Sequence, residues 1–151
     1  MTLEEGTDAP TVTAPNQNGE EITLEFDDPT VLYFYPKDDT PGCTIEANQF
    51  QRERESYADA GVDVYGVSTD DVDSHDAFCE QEGLEFDLLA DPEAELAAAF
   101  GVDVQGGTTA RTTFVLADGE VKAVYENVDP DGHARDVLFD ALEDGLVSLP
   151  E

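Results

Sequence analysis

Apolar and polar positions along this chain fall into two rhythms. "ITLEF" (22–26) alternates at period two and predicts a half-buried strand, whereas "TVLYFYP" (30–36) is a continuous apolar run, the pattern of a strand covered on both faces. A helix is expected over about 43–60, with Ala47, Phe50, Tyr57 and Ala58 near one face. "VDVYGVS" (62–68) reads as the next strand. Thr69 or Asp70 is then placed to cap a helix running to about Glu82, with Val72, Phe78 and Cys79 on or near its inner stripe. "DLLAD" is a short strand, and Pro92 is placed to open a helix over 93–100. "RTTFVLA" (111–117), the turn pair Asp118 and Gly119, and "EVKAVYENV" (120–128) predict a hairpin. Ala134, Val137, Leu138, Ala141 and Leu142 recur at helical spacing in a last helix that starts near Gly132.

Strand-helix-strand units that end in an antiparallel hairpin and a helix imply an α/β fold, a mixed sheet flanked by helices. This is the element order of a thioredoxin-like fold with an N-terminal extension. No internal repeat or low-complexity linker breaks the chain, so residues 1–151 are expected to form one domain. At 151 residues, 40% of them apolar, it is long enough to bury a sizeable core.

Charge changes the picture. There are 37 acidic residues against 6 basic ones, a formal net charge of -31. Nucleic acid and anionic membrane surfaces need a basic footprint, which six residues do not supply. The acids are interspersed among folded patterns, and lysine is almost missing. That is the composition of a protein adapted to a salt-rich cell, where the Debye length is about 3 Å at molar salt and self-repulsion is screened. "MTLEEGTDAP" has neither the basic nor the apolar region of a secretory signal, and no apolar run reaches the length of a membrane span. A cytoplasmic protein is expected, in which two cysteines serve as reactive, ligating or buried groups rather than as a permanent staple.

The chemistry concentrates in "YPKDDTPGCTIEANQF" (35–50). Cys43 follows the turn-forming pair Pro41 and Gly42 at an expected helix start, where unpaired backbone N–H groups and the positive end of the helix dipole favour thiolate over thiol. A buried, inert cysteine fits the same position. Thr40 lies three residues earlier, and its hydroxyl can fold back beside the sulfur to donate or accept a hydrogen bond. Pro36 ends the strand, fixes the approach of the loop and shields the sulfur.

Pro36, Thr40 and Cys43 in "PKDDTPGC" match the P-x-x-x-T/S-x-x-C signature of peroxiredoxins, and the longer "YFYPKDDTPGCTIEANQF" resembles the bacterioferritin comigratory protein, or peroxiredoxin Q, subgroup. The resemblance implies a thiol-dependent peroxidase without metal or organic cofactor. Cys43 would be the peroxidatic cysteine, and hydrogen peroxide and small alkyl hydroperoxides the substrates. Thioredoxin or a similar dithiol protein would be the reductant. It also implies an arginine at the mouth of a strand reading "RTTF". Arg111 stands there, to stabilise the thiolate and the departing oxygen together with Thr40 and the backbone N–H groups near Gly42 and Cys43. Many members of the subgroup place a resolving cysteine five residues after the first, where this chain has Asn48. Others place it in the next helix, and Cys79 in "HDAFCEQEG" resembles that arrangement; the same residue also fits simple packing beside Val72 and His75. A disulfide brings Cα atoms within about 7 Å, so joining two helical cysteines is expected to unwind the first turn of the Cys43 helix and the Cys79 segment. A monomer or weak homodimer is expected.

Other patterns are weaker. His75 and Cys79 stand at i and i+4, a zinc-ligand spacing, but further ligands are missing. "NVDPDG" aligns Asn127, Asp129 and Asp131 with the start of a calcium loop, yet Leu138 occupies the position that needs glutamate. "QGGTTAR" lacks the lysine of a phosphate loop, and His133 has no partner to orient it as a base for Cys43. Two alternatives remain beside the peroxidase: a thiol-disulfide carrier, which lacks the usual Cys-x-x-Cys, and an acidic interaction module with inert thiols.

Overall fold

A strand buried on both faces needs two layers above and below it, and β3 (Thr30–Phe34) is such a strand: all five residues are buried. The computed structural model of the protein describes residues 2–148. In it β3 lies at the centre of a five-stranded sheet, flanked by β4 (Asp63–Ser68) and then β5 (Asp87–Ala90) on one side. On the other side lie β8 (Thr112–Ala117) and β9 (Glu120–Tyr125). β3, β4 and β5 run parallel, while β8 pairs antiparallel with β3 and β9 with β8. The sheet is thus mixed and helix-flanked, as the element order implies. The hairpin turn places Asp118 and Gly119 at φ of 55° and 70°, the paired left-handed geometry that favours glycine.

Successive residues of β3 point to opposite faces. Val31, Tyr33 and Tyr35 join Cys43, Phe50, Phe78, Cys79 and Val137 in one core cluster. This face is covered by α1 (Pro41–Arg52), α2 (Arg54–Asp59), α3 (Val72–Glu82) and α5 (His133–Glu143). Leu32 and Phe34 face the other cluster, with Val12, Leu24, Leu96 and Phe100. Those residues come from α4 (Glu95–Phe100) and from a two-stranded antiparallel hairpin of β1 (Val12–Pro15) and β2 (Glu21–Leu24). A second small hairpin, β6 (Val104–Gln105) with β7 (Thr108–Thr109), occupies "QGGTTAR". Among the described residues no helix is long and apolar enough to cross a membrane.

Several boundaries differ from expectation, each for a local reason. The long helix expected over 43–60 starts earlier, with Pro41 in its first turn, and breaks at Glu53 into α1 and α2. Proline fits a first turn because its missing N–H would be unpaired there anyway. α3 is capped by Asp71, whose carboxylate accepts from the Ser74 N–H at 2.9 Å, rather than by Thr69 or Asp70. Those two are engaged elsewhere: Thr69 donates to the Gly107 carbonyl and Asp70 accepts from the Asp38 N–H. Pro92 does not open α4; buried Asp91 accepts from the N–H groups of Leu96 and Ala97 and anchors a start at Glu95. β1 is not in the sequence-based reading, and β2 ends at Leu24, since Phe26 turns out of line with φ of 60°.

Candidate active site

Cys43 is the third residue of α1, and the first helical bond near it runs from the Thr44 N–H to the Thr40 carbonyl. The N–H groups of Gly42 and Cys43 therefore lie in the turn that has no intrahelical acceptor, at the positive end of the helix. The residue is 1% exposed and its thiol is free. Arg111, directly ahead of β8, reaches across the sheet edge so that Nη2 lies 3.4 Å from Cys43 Sγ. Gly42 makes that approach possible: a Cβ there would stand 3.1 Å from Arg111 Nη2 and 3.5 Å from Pro130 Cγ.

The other arm of the guanidinium binds Glu46. Nη1 donates to Oε1 at 2.6 Å, between side chains 15% and 0% exposed. Glu46 lies one turn past Cys43 on the same face of α1, so one arginine fork spans both. Burial pushes the Glu46 carboxyl up to about 7, even though Arg111 pulls the other way by charge and hydrogen bond. Its Oε2 is buried without a partner. Burial also works against the charge on Arg111, but Glu46 and Cys43 outweigh it and hold the guanidinium protonated more firmly than usual. Burial thus opposes the charge on both members of the pair, and one carboxylate oxygen is left unpaired. The sequence reading missed Glu46. Its signal was an acid three residues after the cysteine on a helical stripe shared with Ala47 and Phe50, hidden in a chain where acids are everywhere.

Thr40 is the N-cap residue of α1, in extended geometry, but its side chain makes no cap. Its hydroxyl donates to the Lys37 carbonyl at 2.8 Å, so the expected hydrogen bond to the sulfur is not formed in this state and the lone pairs stay open to a donor. Pro36 is half-buried two residues past the end of β3. Cys79 lies in the second half of α3, 8% exposed and in the same core cluster as Cys43. Burial first, then Asp38, Asp87 and Asp76, push its thiol up to about 12. Both cysteines sit in intact helices. Asn48 ties α1 to α3 by donating to Glu82 Oε1 at 3.0 Å.

The weaker candidates resolve into structure. Both nitrogens of His75 are engaged, Nδ1 with Asp38 Oδ2 at 2.7 Å and Nε2 with the Leu89 carbonyl at 3.0 Å, leaving none for a metal shared with Cys79. Asp129 and Asp131 form a turn ahead of α5, in which Asp131 accepts from Gln49, and Leu138 is core. Burial lowers the His133 pKa to about 4, and the ring bonds Thr113 Oγ1 at 2.8 Å between Phe50 and Tyr125. It is a neutral packing group.

The arrangement supplies an enclosed thiol at a helix start, a cation on the sulfur and a carboxylate behind the cation. Comparison with known proteins points the same way. The AhpC/TSA family matches over residues 6–124. A Coxiella burnetii protein named peroxiredoxin bcp is 39% identical over 148 residues, covering 91% of this chain and 98% of its own. A cysteine-to-serine variant of PrxQ from Xylella fastidiosa superposes with a TM-score of 0.90 at 28% identity, over 96% of this chain and 99% of the other. The Xanthomonas campestris bacterioferritin comigratory protein, solved in work on its alkyl peroxide reduction, gives 0.84 at 33% identity, over 94% and 99%.

Proposed function

The chain belongs to the AhpC/TSA family and is a thiol-dependent peroxidase of the peroxiredoxin Q kind, and from that premise we propose that Cys43 is the peroxidatic cysteine, with Arg111 as its charge stabiliser and Cys79 as the resolving cysteine. Family membership brings peroxide as substrate and a thioredoxin-like dithiol as reductant. The observation that carries the residue assignment is the Arg111 fork, with one arm on Cys43 Sγ and the other on Glu46.

In the first step the Cys43 thiolate attacks one peroxide oxygen. An S–O bond forms, the O–O bond breaks, and the second oxygen leaves as hydroxide or alkoxide and takes up a proton. Arg111 and the N–H groups at Gly42 and Cys43 stabilise the leaving oxygen, and Thr40 accepts a hydrogen bond from the incoming peroxide. The Cys79 thiol then condenses with the Cys43 sulfenic acid, giving a disulfide and water. A dithiol reductant restores both thiols by exchange and is itself oxidised. Hydrogen peroxide and small alkyl hydroperoxides are the proposed substrates, in keeping with the alkyl peroxide reduction of the Xanthomonas relative.

The thiol-disulfide carrier is not favoured, because the two cysteines lie on separate helices, 36 positions apart in sequence. The two core clusters share one sheet, which supports reading residues 1–151 as one domain. A net charge of -31 argues against nucleic-acid and anionic-membrane partners, and a monomer or weak homodimer is proposed.

Stopped-flow peroxide reduction in high salt tests the assignment. Cys43→Ser is expected to abolish turnover. Cys79→Ser should consume one equivalent of peroxide and stall until a small thiol is added. Full activity in Cys43→Ser would refute the reading.

A further inference from the structure

A buried polar cluster that the peroxidase chemistry does not use joins the two cysteine segments. Asp38 lies in the loop five residues ahead of Cys43 and is 6% exposed. Its Oδ1 accepts from the Tyr35 hydroxyl at 2.6 Å. Its Oδ2 accepts from Ser74 Oγ at 2.8 Å and lies 2.7 Å from His75 Nδ1. Its backbone N–H donates to Asp70 Oδ2 at 2.7 Å, an oxygen that also accepts from Ser68 Oγ at 2.7 Å. His75, wholly buried one turn ahead of Cys79 on α3, is held at its far side by the Leu89 carbonyl of β5. A carbonyl only accepts, so Nε2 donates to it, and Nδ1 faces the Asp38 carboxyl.

The position of this cluster gives it a use. Cys43 and Cys79 are both helical here, and the proposed disulfide is expected to unwind at least the first turn of α1. Asp38 and His75 lie four to five residues upstream of the two cysteines. They clamp the loop that leads into α1 onto the first half of α3, and onto the sheet through Tyr35 and Leu89. With the clamp closed, the chain entering α1 is held in the geometry that presents Cys43 to Arg111. Opening it frees both segments to unwind.

We propose that the Asp38–His75 pair, buttressed by Tyr35 and Ser74, is a positioning latch that sets the balance between the helical state reacting with peroxide and the unwound state in which Cys79 reaches Cys43. This rests on the Cys43 and Cys79 assignment above. The latch acts on a branch point. In the helical state the Cys43 sulfenic acid meets a second peroxide, which transfers an oxygen to give sulfinic acid and leaves as water or alcohol. In the unwound state the sulfenic acid condenses with the Cys79 thiol to give disulfide and water. Weakening the latch favours the second branch.

The test is the ratio of the two products. Wild type, Asp38→Asn and Ser74→Ala, reduced and in high salt, are treated with graded hydrogen peroxide, and Cys43 disulfide and sulfinic acid are quantified by mass spectrometry. The peroxide concentration giving equal amounts should rise about ten-fold in Asp38→Asn, the equivalent of one charge-assisted hydrogen bond. In Ser74→Ala, which removes a single neutral donor, the rise should be about three-fold. Circular dichroism first establishes that each variant is folded, so that the ratio reports the branch and not loss of structure. An unchanged ratio, or a shift toward sulfinic acid, overturns the latch. Should Asp38→Asn fail to fold, Ser74→Ala decides by the same ratio. If wild type itself forms no Cys43–Cys79 disulfide, the resolving assignment fails instead, which separates the two ideas.

Discussion

Glu46→Gln keeps the shape of the side chain and removes its charge, and the structure fixes what should follow. In the folded protein burial raises the Glu46 carboxyl from 4.5 to about 7. Because the folded-state value is the higher one, the native protein holds a proton between those limits that the unfolded chain has released. Stability from this group is therefore present at low pH and lost as pH rises through about 7. At about 1.4 kcal/mol per pH unit, the loss between pH 5 and pH 8 is about 2 to 3 kcal/mol. Glutamine does not titrate, so the unfolding free energy of the variant relative to wild type should climb by that amount across the same window. The Asp63 and Asp91 carboxyls, also raised by burial, titrate in both proteins and cancel in the difference. Urea unfolding followed by circular dichroism, at fixed high salt from pH 5 to 8, measures it. Activity should move the opposite way: a neutral amide grips Arg111 less firmly, and kcat/KM for peroxide should fall about three- to ten-fold at pH 8. Parallel stability curves for the two proteins would refute the reasoning, because they would mean that burial does not raise the Glu46 carboxyl above its free value.

The other predictions concern the same cation. Arg111→Met should lower kcat/KM for peroxide about 10²–10³-fold in stopped-flow assays, the scale of losing one preorganised donor at a developing negative charge; an effect under three-fold would remove Arg111 from the chemistry. Arg111→Lys should recover little of it, since one ammonium cannot span Sγ and Glu46 as the planar fork does. Gly42→Ala puts a methyl group 3.1 Å from Arg111 Nη2. It should slow peroxide reduction several-fold while leaving the urea midpoint equal or higher, because alanine favours helix over glycine by up to about 1 kcal/mol. Unchanged kinetics would show that the close approach is not needed.

How legible this was depended on whether a feature lived in local chemistry or in packing. The continuous apolar run of β3, the Asp118–Gly119 turn and the helical spacing of Val137, Leu138 and Ala141 are periodicities of neighbouring residues, and they appear where expected. Cys43 and Thr40 stood out as candidates because a proline, a glycine and a helix start mark the place. What stayed hidden involves residues far apart in sequence. β1 is a four-residue strand whose pairing with β2 completes it, so its alternation alone says little. Which of Thr69, Asp70 and Asp71 caps α3 is decided by Gly107 and Asp38 capturing the first two. Glu46 and Asp38 are two acids among 37, and only enclosure separates them from the solvated majority.

That majority poses a physical problem for a thiolate enzyme. A protein of net charge -31 opposes any further anion, and the opposition is visible at Cys79, where nearby aspartates add to burial in holding the proton on. Cys43 faces the same overall field, yet has a guanidinium 3.4 Å from its sulfur. At an effective dielectric of about 20, a full charge at that distance is worth about 5 kcal/mol. An exposed acid 10 Å away lies roughly three Debye lengths off in molar salt, so its contribution is nearly screened out. Contact therefore separates the two cysteines: a single enclosed arginine, held by Glu46, faces one sulfur. At the other sulfur, burial and nearby aspartates favour the protonated thiol. Salt that screens the acidic surface acts far less on this enclosed contact.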